Sequence, residues 1–188
     1  LQLVRVYSES WFLPNQITSQ DEKRFTKAKQ AITKAEQLWK TDLKPMASTL
    51  LELYVVKART LLCLPIGKNP KPKYPEMAQL FADWSMYGVL GMFYLAILHD
   101  DLSLDFEGIQ FTPELKKYFE HDKDAYQPKL AHQYYQQFLQ IEKRAIDKEL
   151  CVLKEMRLFP QDLTNLHFIE IASVASQRLK SSLEGDQQ

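Results

Sequence analysis

Glycine is scarce in this chain, at 5 residues in 188, where average usage of about 7% would give roughly 13. The motifs that depend on glycine are missing with it. No G-x-G-x-x-G, G-x-x-x-x-G-K-[ST] or G-x-S-x-G occurs, so a dinucleotide-binding turn, a phosphate loop and a hydrolase nucleophile elbow have no local support. Cysteine is almost absent. Cys63 and Cys151 stand alone, with no C-x-x-C, and two cysteines cannot make a disulfide framework. The expectation is buried free thiols in a reducing compartment, the cytoplasm or another such intracellular space. Long apolar runs are also lacking. The longest uncharged stretch, residues 84–98, has 15 residues, short of the roughly 18–20 a membrane span needs. It is expected to be a buried core helix, and no membrane association is expected. The first twenty residues lack a basic start followed by an apolar core, so no signal peptide is expected there.

What is present is an ordinary globular composition, 45% hydrophobic and 26% charged, in a chain long enough to bury a core. The hydrophobic period is helical. Ser19-Gln20-Asp21-Glu22 fits a capping box. Phe25, Ala28, Ile32, Ala35 and Trp39 then recur every three or four residues, predicting an amphipathic helix to about Leu43. Pro45 separates it from an apolar helix over about 46–64. Four prolines within residues 65–75 exclude helix and inner strand, and predict a stiff, basic Pro/Lys loop. A central helix is expected over 76–99, with Gly88 and Gly91 letting a neighbouring helix approach closely. Residues 100–111 are acidic and aromatic without helical period. Thr112-Pro113-Glu114 predicts a short helix capped by Thr112. Pro128 opens a long helix to about Leu158, and a last one runs over about 161–183. The fold class expected is all-α: a single-domain bundle of about six helices over 21–188, preceded by an arm or short helix over 1–20. No repeat of 20–50 residues is visible.

Catalytic constellations are hard to find. Leu95-Ala96-Ile97-Leu98-His99-Asp100 resembles the core motif of the HD-domain phosphohydrolases, an all-α, metal-dependent family. That resemblance implies a further His upstream, but His99 is the first in the chain. Asp100, Asp101 and Asp105 do not match the D-D-x-x-D spacing of prenyl-chain synthases, because position 104 is Leu. No E-x-x-H or H-E-x-x-H exists among the four histidines, so a bundle di-iron or zincin site lacks its spacing. The expectation is a protein that is not an enzyme, with no metal and no cofactor. His99 and its acidic neighbours then read as a solvated helix terminus. Phe81-Ala82-Asp83-Trp84 onward to Leu102, and residues 156–163, resemble short stretches of small accessory proteins encoded on integrating conjugative elements, without their Arg-rich character. No residue role follows from that resemblance.

Charge layout is the signal that survives. The formal net charge is zero. Residues 21–75 nevertheless hold 12 Lys and Arg against 5 Asp and Glu, and residues 76–126 hold 3 against 10. Such asymmetry hints at a charged partner. Lys23, Arg24, Lys27 and Lys34 on the first helix, with Lys68, Lys71 and Lys73 in the Pro/Lys loop, are the candidate contacts. Lysine is a point-charge binder, suited to phosphate or carboxylate rather than to reading bases. The adjacent Tyr134 and Tyr135 cannot both point straight into a core. The function expected is a non-enzymatic helical interaction module, a subunit or adaptor in a larger assembly, with a protein partner or a second copy. The alternative is a nucleic-acid-binding accessory protein, such as a mobile-element or nucleoprotein-complex subunit, gripping the phosphate backbone through residues 21–75.

Overall fold

The computed structural model describes residues 19–41, 46–62, 71–102 and 109–185. Residues 1–18 of the expected arm and residues 65–70 of the Pro/Lys loop lie outside them, as does Cys63. The described residues form eight helices and no strand: α1 (Ser19–Thr41), α2 (Ala47–Leu62), α3 (Tyr74–Ser85), α4 (Leu90–His99), α5 (Thr112–Phe119), α6 (Pro128–Leu139), α7 (Lys143–Glu155) and α8 (Asn165–Gly185). The all-α expectation holds. The single bundle does not, because the chain divides into two compact units between Pro72 and Lys73, within the proline-rich stretch.

The first unit contains α1 and α2, which pack on each other. Ala28 and Ile32 of the predicted seam are buried, while Ala35 and Trp39 are half-buried. Helix α2 is buried on more than one face, through Leu51, Leu53, Val55, Val56, Ala58 and Leu62. Lys57 Nζ donates to Glu36 Oε1 at 2.7 Å across the pair. Both side chains are about a third exposed, so the bridge orients the helices more than it stabilises them.

The second unit corrects the helix count. The predicted central helix is an antiparallel hairpin, α3 and α4, joined by the turn 86–89. The ring of Tyr74 meets that of His99, and Phe81 stacks on Tyr94 at 5.5 Å. Glycine explains the fold-back. The Gly88 N–H closes the end of α3 on Trp84 O at 2.9 Å. A Cβ at Gly91 would stand 2.3 Å from Ser85 N and 2.8 Å from Phe81 O. The close approach expected at these glycines is therefore real at Gly91, and the neighbour is the preceding helix.

The long helix expected over 128–158 is likewise two, α6 and α7, separated at 140–142. No proline or glycine marks the break. Continuing the helix would put Glu142 one turn past buried Phe138, on the inward face. The chain instead turns extended at Glu142, with φ −62° and ψ 132°, which leaves its side chain 65% exposed. Helix α5 starts with Phe111, not Thr112, at its cap position, in the left-handed region at φ 72°. The Thr112 hydroxyl donates back to Ile109 O at 2.6 Å instead. This helix ends at Phe119 rather than near Asp124, and the Asp122 carboxylate accepts the Asp124 N–H at 3.0 Å. Such local bonds compete with helix continuation.

The core of this unit is aromatic. Phe93 of α4 lies against Tyr135 and Phe138 of α6 and Phe168 of α8. Trp84 lies among Phe81, Tyr94, Phe111 and Phe159. Of the adjacent tyrosines, Tyr135 is fully buried and Tyr134 half-buried, as the geometry of neighbouring helical positions requires. Helix α4 carries nine buried residues out of ten, so the 84–98 stretch does sit mostly in the core. No described helix is long and apolar enough to cross a membrane. Cys151 is exposed, against the expectation of a buried thiol. It occupies the outer face of α7, beside buried Leu150 and Leu153.

Candidate functional site: a lysine face and three buried polar centres

Four of the seven candidate contacts, Lys23, Arg24, Lys27 and Lys34, lie on one element, α1. Lys23, Lys27 and Lys34 are exposed on α1. Steps of four and seven residues rotate by about 40° and 20° from a common face, and eleven residues rise about 16 Å. Arg24 lies on the same helix, but its side chain is outside the description. Lys68 is outside it entirely. Lys71 and Lys73 are exposed in the extended stretch before α3, and Lys73 is the N-cap residue of that helix, at φ −92° and ψ 143°. Lys23, Lys34, Lys71 and Lys73 enter no salt bridge among the described residues, whereas Lys57 does.

The residues that suggested chemistry are placed differently. His99 and Asp100 do not form a solvated terminus; each is 3% exposed. His99 Nδ1 lies 3.1 Å from the carbonyl of Ala125. A carbonyl only accepts, so Nδ1 carries the proton. Burial lowers the His99 pKa, opposed by that bond, and the ring is neutral near pH 7. Tyr134 stacks on it, with ring centroids 5.9 Å apart. The nearby Tyr74 hydroxyl accepts from Gln127 Nε2 at 2.9 Å.

Asp100 is the second centre, and all its bonds are structural. Oδ1 accepts from Arg178 Nη2 and from Asp101 N–H at 2.7 Å, and Oδ2 accepts from Tyr135 at 3.1 Å. Burial raises the carboxyl pKa, against the opposing pull of Arg178 and these donors. Asp100 thus ties α4 to α6 and α8. A smaller seam continues it, where Ser176 of α8 accepts from Gln136 Nε2 at 2.7 Å through Oγ and from His132 Nδ1 at 3.1 Å through its carbonyl.

The third centre was missed from the sequence. Glu149 of α7 is 6% exposed. Its Oε1 accepts from Trp84 Nε1 at 2.8 Å, and Oε2 accepts from Leu90 N–H at 3.0 Å. Burial pushes its pKa up to about 7, although these bonds and one from the Val89 N–H favour the anion. A signal was available: Glu149 lies at helical spacing between Ile146 and Leu153, on the apolar face of α7.

No group of three or more His, Cys, Asp or Glu among the described residues could hold a metal ion. The His99-Asp100 pair of the HD-like stretch is tied into the core, and nothing described beside it completes such a ligand set. Comparison with family models, curated proteins and solved structures finds no match.

Proposed function

We propose that this chain is a non-enzymatic helical interaction module, a subunit or adaptor that engages an acidic partner through the lysine face of α1. One observation carries the reading. In the core Trp84 is bonded to Glu149, and Tyr135 and Arg178 to Asp100, between helices, and Lys23, Lys27 and Lys34 lie exposed on one face of α1. Fixed, buried polar groups position helices; exposed charges of one sign steer an encounter and set its register.

A second reading is nucleic-acid binding. It is favoured by the exposure of Lys23, Lys34, Lys71 and Lys73 and their lack of a salt bridge among the described residues. Such lysines would grip phosphates without reading sequence.

One experiment separates the two. Single-stranded DNA, duplex DNA and RNA are titrated at two salt concentrations with the wild-type chain and with the triple variant Lys23→Glu, Lys27→Glu, Lys34→Glu. Sequence-independent binding that weakens steeply with salt, and is reduced in the variant, selects the second reading. Absence of nucleic-acid binding at low salt, together with a protein complex or self-association that the variant loses, supports the first. A complex that the variant retains in full removes the α1 face from the interface.

A further inference from the structure

The turn between α3 and α4 is held by a side chain from far along the sequence. Val89, at the N-cap position of α4, makes no side-chain cap, and the first N–H groups of a helix need acceptors. Glu149 supplies one. Its carboxylate takes the Leu90 N–H on one oxygen and the Trp84 indole N–H on the other. One residue of α7 thereby joins the last turn of α3 to the first turn of α4. We propose that Glu149 is a proton-controlled latch between α7 and the α3–α4 turn, tightening when its carboxyl takes up a proton and loosening when it ionises.

The geometry sets the direction. The carboxyl is buried, and no lysine or arginine among the described residues lies within 4 Å of it. The donors around it are neutral. A buried anion compensated only by neutral donors remains penalised by the loss of water, which is why burial prevails in raising its pKa. When protonated, the group keeps a carbonyl oxygen for one of these donors and a weaker hydroxyl acceptor for the other, and the larger cost of burying a charge is gone. If α7 lifts away, the carboxyl returns to water and titrates as an ordinary glutamate. The closed form holds the proton more tightly, so acid favours closure. The closed-to-open ratio falls nearly tenfold per pH unit between 4.5 and about 7, and levels off above that.

The charged and titratable groups of the neighbouring elements do not reverse this. Tyr94 on α4 couples to Glu149, but burial holds its hydroxyl far above the usual range and it stays neutral. Glu114 on α5 acts on that same hydroxyl. On α3, Asp83 accepts from Gln79 at 2.7 Å. On α7, Asp147 and Lys148 are exposed, as are His167 and Glu170 on α8. Met86 and Tyr87, on the latched turn, are already exposed, so loosening would enlarge an apolar surface that exists in the closed form.

The test is hydrogen exchange by NMR at the Leu90 amide and the Trp84 indole N–H, corrected for intrinsic pH dependence. Between pH 5 and pH 8 the protection of both is expected to fall on the order of 100-fold. In Glu149→Gln it should be flat with pH. A wild-type profile without this fall, or the same fall in Glu149→Gln, overturns the latch. A second measurement needs no variant: the Glu149 carboxyl carbon is titrated in the intact protein. A midpoint near 7 supports the proposal, and one near 4.5 overturns it.

Discussion

Helix α4 has a buried carboxylate at each end, and the two are neutralised by different means. At the N-terminal end, Glu149 meets only neutral donors: an indole and backbone N–H groups. At the C-terminal end, Asp100 sits at the C-cap position beside a guanidinium, Arg178. The helix itself accounts for the difference. Its N-terminus carries partial positive charge and free N–H groups, so an anion there is partly compensated already. Its C-terminus carries partial negative charge, and a carboxylate buried there needs a cation. The other polar groups at that end follow the same logic. The His99 carbonyl takes the Gln127 N–H at 2.9 Å, and the Asp100 N–H closes on Ile97 O. Local electrostatics therefore decides which buried carboxylate is paired with a cation and which is held by neutral donors alone.

The strongest way to break this comparison is at the N-terminal end, through Gly91. Gly91→Ala would press a methyl group into the backbone of Ser85 and Phe81, atoms that cannot turn aside. A loss of about 3 kcal/mol or more is expected, read as a lower denaturation midpoint, with the Glu149 bonds disrupted. At the other end, Arg178→Met keeps the aliphatic stem and removes the charge. Asp100 is then buried without its cation, and its carboxyl should titrate higher still. Because Arg178 is 32% exposed, water can partly replace it, so a loss of about 2–3 kcal/mol is expected. Equal, pH-independent losses on removing Glu149 or Arg178 would contradict the contrast between the two ends. The smallest effect has the opposite sign. Arg157, at the end of the helix that carries Glu149, holds φ 56°, and Leu158 N–H reaches back to Leu153 O at 2.8 Å. This is the helix-ending arrangement that glycine favours. Arg157→Gly should stabilise by about 0.5–1 kcal/mol, seen as a raised midpoint with the Glu149 titration unchanged.

The helical character of the chain was legible because period and proline placement act locally. Pro75, Pro113 and Pro128 all stand in the first turn of a helix. The breaks were not legible as breaks. The pattern around Gly88 and Gly91 is as compatible with a helix contacted by another as with a hairpin contacting itself. At 140–142 no proline or glycine interrupts the apolar period of the expected long helix. Periodicity reports which face is apolar, and it is silent on whether the axis reverses. The common, exposed placement of Lys23, Lys27 and Lys34 was legible because spacing on one helix fixes a face. The burial of Asp100 and the whole of the Glu149 centre escaped because their partners are far away in sequence. Trp84 lies 65 positions from Glu149, and Arg178 lies 78 from Asp100. A charged residue on an apolar stripe, as at Glu149, is the one local mark such a centre leaves.

The hairpin of α3 and α4 bears on the order in which the second unit assembles. A four-residue connection makes closure inexpensive in chain entropy. The stack of Phe81 on Tyr94 and the seat of Gly91 against Ser85 are complete within 26 consecutive residues, 74–99. Such local contacts are expected to form early, while those of Glu149 join segments some sixty residues apart. Substitutions within the hairpin core will then slow folding, whereas substitutions at Glu149 will act chiefly by speeding unfolding. The carboxyl that closes the turn fastens a structure already formed.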